Sequence, residues 1–197
     1  MDSELFSNRL GLSPLADDVF VQRWSPRSMV KGDVPDEDLK KMLDAARWSP
    51  SCFNDQPWHF LFSTPKTHTT FLDLIVDGNK VWCQNASRIG FVLARKHFAH
   101  DGSPNAWSQF DTGAAWMSFV LQAYAMGYVI HGLGGIHKQE VYGKLHIDDQ
   151  KYDVICGLVI GKRGEVESLP EAFQAREKPT PRNELKTCFG FDQMSSL

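Results

Sequence analysis

The chain has little of what marks several common classes of protein. No run of Lys or Arg stands anywhere along it and the formal net charge is −3, so it offers no electrostatic footprint for nucleic acid or for an anionic membrane surface. Long apolar runs are missing as well, and nothing approaches the roughly 20 consecutive apolar residues of a membrane span. The segment from Met1 to Leu15 contains acids and no long apolar stretch, which is unlike a signal peptide. The four cysteines (Cys52, Cys83, Cys156, Cys188) are scattered with no C-x-x-C pair, so neither a zinc site nor a disulfide framework is indicated. Internal repeats, low-complexity tracts and dividing linkers are also lacking. A single domain over residues 1–197, in the cytoplasm, is the expectation.

What is present is an ordinary globular composition, 42% hydrophobic and 23% charged over 197 residues, enough to bury a core without disulfides or a structural metal. Pro35-Asp36-Glu37-Asp38 reads as a helix start, with Leu39, Met42, Leu43 and Ala46 at helical spacing until Pro50 stops it. His59 to Ser63, Ile89 to Ala94, Tyr128 to His131 and Val154 to Ile160 read as strands. Helices are expected near Phe71 to Ile75 and His137 to Leu145, with a turn or two from Asn79 to Ala86. Trp107 to Met126 is the longest helical candidate, apolar on nearly every side and closed by Gly127. Gly161-Lys162-Arg163-Gly164 reads as a turn, and Ser168 to Arg182 as an extended polar tail. Together these imply an α+β layered domain.

Two segments carry most of the chemistry. Arg23-Trp24-Ser25-Pro26-Arg27 sets two guanidinium groups and a hydroxyl within five residues; arginine forks suit a phosphate dianion, although a solvated turn explains the same pattern. Trp48 to Phe60 contains Pro50, Ser51, Cys52, Asn54 and Gln56 in a polar loop before a strand. Ser, Asn and Gln supply donors and acceptors near backbone level, and Gln56-Pro57-Trp58 has no obvious turn function. Cys52 has no base nearby in sequence and reads as packing rather than as a nucleophile. An anion clamp beside a flat, polar-edged slot suits flavin mononucleotide. Gly132-Leu133-Gly134-Gly135-Ile136 lacks the third glycine of G-x-G-x-x-G, so a tightly bound dinucleotide is not supported. The pair His97-x-x-His100 has no Glu or Cys spaced to complete a metal site.

These motifs, in this order, resemble the FMN-dependent nitroreductase family, from about Arg23 to Leu185. The family opens with Arg-x-Ser-x-Arg/Lys and continues into Ser-Pro-Ser-x-x-Asn-x-Gln-Pro-Trp. The resemblance implies an α+β, nitroreductase-like α/β/α sandwich, with a mainly antiparallel central sheet around a long core helix. It also implies a homodimer with FMN at the subunit interface. Arg23, Trp24, Ser25, Arg27 and Asn79 would hold the flavin of their own subunit, and the Pro50-Ser51 loop would reach the partner's. Asp111 stands where the family has a polar residue, and cap and ligand readings are equally open there. Gly134 and Gly135 match the backbone N–H that faces flavin N5. Arg182 matches a basic tail residue that returns to the phosphate, with Lys178 a weaker match. The chain departs from some branches in having Trp82 where they carry a lysine, which leaves the charge at the reduced flavin's anionic edge unassigned.

The expected function is transfer of hydride from NADH or NADPH to a nitroaromatic, quinone or flavin acceptor by a ping-pong mechanism, with no side chain assigned as catalytic. The loop from His97 to Trp107 is the candidate lid. The alternatives are a flavin-binding sensor or scaffold without turnover, or a specialised enone reductase or dehalogenase.

Overall fold

Alternation along the two central strands, Arg88–Arg95 and Tyr152–Arg163, sorts their side chains into two layers. The computed structural model describes residues 4–12 and 14–191. In chain order the strands are β1 (Met29–Val30), β2 (Trp58–Phe62), β3 (Arg88–Arg95), β4 (Val129–Leu133) and β5 (Tyr152–Arg163), and the sheet runs β1-β5-β3-β2 with β4 also on β5. Every pairing is antiparallel. Side chains alternate between sheet faces with period two. Ile89, Phe91 and Leu93 of β3 and Val159 of β5 therefore join one buried cluster, while Val92, Leu158 and Ile160 join another.

Helices cover both faces. They are α1 (Ser7–Leu10), α2 (Asp18–Gln22), α3 (Asp36–Arg47), α4 (His68–Asp73), α5 (Asp77–Cys83), α6 (Ser108–Ala125), α7 (Lys138–Lys144) and α8 (Glu171–Gln174). Met42 and Ala46 of α3, four residues apart, pack with Ala115, Phe119 and Ala123 of α6 on one face. Phe71, Trp82 and Val141, from α4, α5 and α7, pack on the other. The expected α/β/α sandwich is the observed fold, with an open antiparallel sheet. No helix of the described residues is long and apolar enough to cross a membrane.

Three details differ from expectation. The Gly161–Gly164 segment is not a turn: β5 runs on to Arg163 because Met29 and Val30 pair with Arg163 and Lys162. A Cβ on Gly161 would stand 3.3 Å from the Met29 side chain, so the glycine lets that strand dock. The tail is only partly extended, since α8 folds back, Leu169 is buried and Phe173 packs against the core. Finally, α6 is not buried all round. Its buried residues (Asp111, Thr112, Ala115, Phe119, Ala123 among them) recur at three- and four-residue intervals along one face, whereas Phe110 is 74% exposed and Trp116, Met117 and Leu121 are half-buried.

Phe119 is fully buried and its ring lies 5.1, 5.8 and 6.4 Å from those of Phe60, Phe62 and Trp116. Replacing it with alanine should destabilise the fold by about 3–5 kcal/mol. Urea unfolding checks this, with a lower midpoint and an unchanged slope expected.

Candidate functional site

The predicted residues gather into two groups. The first is built on the turn from Arg23 to Ser28, between α2 and β1. Arg23 follows α2 and stands half-buried, with its Nη1 3.4 Å from Ser25 Oγ and its Nε buried without an acceptor among the described residues. Burial first, and the Arg182 charge second, pull the Arg23 guanidinium below its ordinary pKa. Arg9 on α1 is affected in the same way, by burial and then by Arg182 and Arg23. None of these three arginines pairs with a carboxylate among the described residues. Arg9 is held by backbone oxygens: it donates to Thr180 O (2.8 Å), Val21 O (2.6 Å) and Arg23 O (3.1 Å). Arg182 donates to the Thr180 and Pro181 carbonyls beside it. A like-charged set with a spare buried donor is a place that favours an anion.

Arg27 does not join that set. Its guanidinium lies 5.8 Å from the centre of the Trp82 ring on α5 and 5.9 Å from that of Phe173 on α8, a cation–π arrangement, and it makes no hydrogen bond among the described residues. His131 of β4 packs on the same indole with ring centres 4.9 Å apart, and its Nδ1 is 3.1 Å from the Pro26 carbonyl. Burial holds this imidazole below its ordinary pKa; Arg27 pushes the same way, while hydrogen bonds to the Pro26 and Ser25 backbone oppose the shift. A neutral ring thus buttresses the turn.

Asn79 and Gly135 meet beside it. Val76 N–H donates to the Gly135 carbonyl (3.1 Å) and His137 N–H to the Leu74 carbonyl (2.9 Å), which zips the segment after β4 onto the α4–α5 link. A Cβ on Gly135 would sit 2.6 Å from Asn79 Nδ2, so only glycine fits there. Asn79 is inside α5, whose N-cap is Val76, and is therefore not a cap. The N–H groups of Gly134 and Gly135 donate to nothing in the described residues.

The second group is the loop after α3. Cys52 N–H donates to Asp111 Oδ2 (3.0 Å), so Asp111 ties the loop to the first turn of α6. Ser51 Oγ accepts from Gln56 N–H (3.0 Å), and the Gln56 side chain donates to Asn54. Phe53, Asn54 and Gln56 all have positive φ, 54°, 55° and 49°, a conformation that strains non-glycine residues and recurs at functional sites. Phe53 and Trp48 stand 79% and 76% exposed. No hydrogen bond or ring contact joins this loop to Arg27, Asn79 or Gly135 within the described chain.

Comparison with known proteins meets this geometry. The model of the nitroreductase family matches residues 20–87. A solved oxidoreductase containing FMN is 37% identical, with a TM-score of 0.89, over 93% of this chain and 95% of that one.

The chain belongs to the nitroreductase family.

Two further relatives share the fold or the sequence more distantly. The CLA biosynthesis enone reductase of Lactiplantibacillus plantarum is 25% identical over 77% of this chain and 86% of that protein. A nitroreductase family protein from Clostridium difficile 630 shares the fold at 20% identity and a TM-score of 0.68, over 89% and 96% of the two chains.

Within this nitroreductase fold several contributors escape sequence reasoning. Asp55 sits inside the loop motif yet does its work elsewhere. Its side chain is 1% exposed and accepts from Arg95 (2.9 Å), from Ala99 N–H (2.8 Å) and from Asn105 Nδ2 (3.1 Å). The segment from His97 to Trp107, expected as a lid, is thereby a tied hairpin, closed also by Phe98 N–H to Ser103 O (2.8 Å) and by Phe98 and His100 against Phe53. Arg9, His131 and Glu177 lie in no motif, because their contacts are made only by the folded chain.

Burial raises the Asp55 pKa, but the hydrogen bonds from Ala99, Arg95 and Asn105 outweigh it and leave the carboxyl below its ordinary value. A depressed folded-state pKa contributes stability that is present above the unfolded value of about 3.9 and is lost as pH falls through the folded value. Asp55→Ala should lower stability at pH 7 by about 3–5 kcal/mol, since it leaves a partly buried Arg95 unpaired. It should also flatten the acid limb of a stability–pH curve, measured by denaturant unfolding between roughly pH 2 and 7.

Proposed function

We propose that this chain is an FMN-dependent oxidoreductase that uses NADH or NADPH to reduce a small organic acceptor, acting as a homodimer with the flavin between subunits. The observation that carries the reading is the cluster of Arg9, Arg23 and Arg182, none of them paired with a carboxylate among the described residues and with the buried Arg23 Nε left over. The residues present fit the cofactor. Arg23, Ser25 and Arg182 would take the phosphate. Gly134 and Gly135 offer N–H groups that donate to nothing among the described residues, and Asn79 lies against Gly135 with an amide for the pyrimidine edge. Arg27, laid on Trp82, would supply the charge that some branches draw from a lysine, since the indole at that position carries a guanidinium on its face. When bound, FMN would supply the hydride-transfer chemistry between the nicotinamide and the acceptor. The protein's own part is to bind, to orient and to exclude water.

The dimer reading rests on surface chemistry. Trp48, Phe53, Trp107 and Phe110 are more than half exposed, beside the remaining apolar side of α6. A concentration of exposed aromatics is what a subunit interface presents before pairing. It adjoins the strained loop of Pro50, Ser51, Asn54 and Gln56, which in a dimer would complete the partner's site. The 25% identity to an enone reductase supports a second acceptor class, α,β-unsaturated carbonyl compounds, beside nitroaromatics and quinones.

The purified protein should be yellow and should bleach when NADH or NADPH is added without oxygen; colour that persists identifies a binder without turnover. Arg23→Ala should weaken FMN binding about tenfold or more, read from flavin fluorescence, because it removes a charge-assisted fork worth roughly 1.5–3 kcal/mol. Phe53→Asp with Phe110→Asp should give a monomer in sedimentation that has also lost most of its flavin. A flavin-loaded monomer contradicts the shared site.

A further inference from the structure

Glu177, in the tail after α8, is a buried carboxylate that the proposed chemistry leaves unused. It is 3% exposed, and Oε1 accepts three hydrogen bonds, from Arg27 N–H, Ser28 N–H and Ser28 Oγ, each 2.8 Å. Oε2 is buried and accepts nothing among the described residues, and no Lys or Arg side chain pairs with the group there. A carboxylate taken out of water without a cation is strongly unfavourable unless well-made hydrogen bonds offset the loss. Leu169, Phe173 and Pro179 already fasten this tail through apolar burial, so the carboxylate is free for a task beyond anchoring it.

That task lies at Arg27. Two residues of the same tail address it at opposite ends: Phe173 sits 5.9 Å from its guanidinium, and Glu177, four residues later, takes its backbone N–H. His131 holds the preceding Pro26 carbonyl from β4. The turn is thus fixed through its backbone, and the carboxylate, bonded to the Arg27 N–H, forms no ion pair with the guanidinium among the described residues. We infer that Glu177 is the positioning residue of the cofactor site, presenting the unpaired Arg27 guanidinium to the anionic edge of the flavin and offsetting part of its field. This rests on the FMN reading given above. A carboxylate suits both tasks, because two consecutive N–H groups select an anion as acceptor and its charge would offset part of that of Arg27.

The test compares Glu177→Gln and Glu177→Ala in the full-length protein, with flavin affinity, flavin midpoint potential and amide hydrogen exchange as readouts. Glutamine keeps a carbonyl oxygen for the Arg27 and Ser28 donors, so E177Q should hold FMN within a few-fold of wild type. Its midpoint potential should rise, since a negative charge beside the ring is gone, whereas Arg27→Met should lower it. E177A should weaken FMN binding about tenfold or more and speed exchange of the amides from Arg27 to Ser28 in the flavin-free protein. Wild-type potential in E177Q overturns the electrostatic role, and it does so even where E177A fails to fold. Unchanged exchange in a folded E177A overturns the positioning role. If the wild-type protein refuses FMN, the functional reading fails, and the exchange comparison on the flavin-free chain still decides whether Glu177 fixes the turn.

Discussion

Like charges brought together in a half-buried place repel one another, and burial makes each less comfortable as a cation. Arg9 and Arg23 accept that penalty, from α1 and from the end of α2, with the exposed Arg182 of the tail beside them. Backbone carbonyls make it possible: Arg9 spends its donors on Val21, Arg23 and Thr180 and so fastens three stretches of chain into one corner. None of the three pairs with a carboxylate among the described residues, and in the proposed function a bound phosphate supplies the counter-charge. The rest of the proposed site follows from how the fold carries a ring away from this anchored tail, past Arg27 and Trp82 toward Asn79 and the two glycines.

The same molecule carries a second set of features that its own first set does not use. The loop after α3 holds Phe53, Asn54 and Gln56 at positive φ, and strain of about 1–3 kcal/mol per residue persists only where surroundings over-determine it. Here the surroundings are Asp111 on one side and Asp55, with the hairpin it organises, on the other. A loop so firmly held, flanked by exposed aromatics and out of contact with Arg27 and Asn79, makes structural sense as one half of a shared site. Two copies related by a twofold axis would supply both halves twice.

Much of this was legible in the sequence because it is local. Short apolar runs placed β2 to β5, and helical spacing found α3 and α6 to within a residue or two. The order of motifs named the family and its fold. What escaped depends on distance along the chain. Glu177 meets Arg27 across 150 residues, and Arg9 meets Thr180 across 171, so no window of sequence contains either contact. Asp55 was in view within the loop motif, but its partners Arg95, Ala99 and Asn105 arrive from β3 and the following hairpin. The turn expected at Gly161–Gly164 failed for a related reason: β1 is two residues long, too short to register as a strand, yet it is what extends β5 to Arg163. The apolar character of α6 and its packing on more than one element were read correctly, although its buried residues keep to one face.

The central claim is that the arginine corner binds the phosphate of a flavin nucleotide. Titration of the flavin-free protein with FMN and with riboflavin, which share a ring and differ in the phosphate, addresses it most directly. The account expects FMN to bind at least a hundredfold more tightly, about 2.7 kcal/mol, with the advantage shrinking as salt is raised. Equal affinity for the two flavins, or binding of neither, contradicts it.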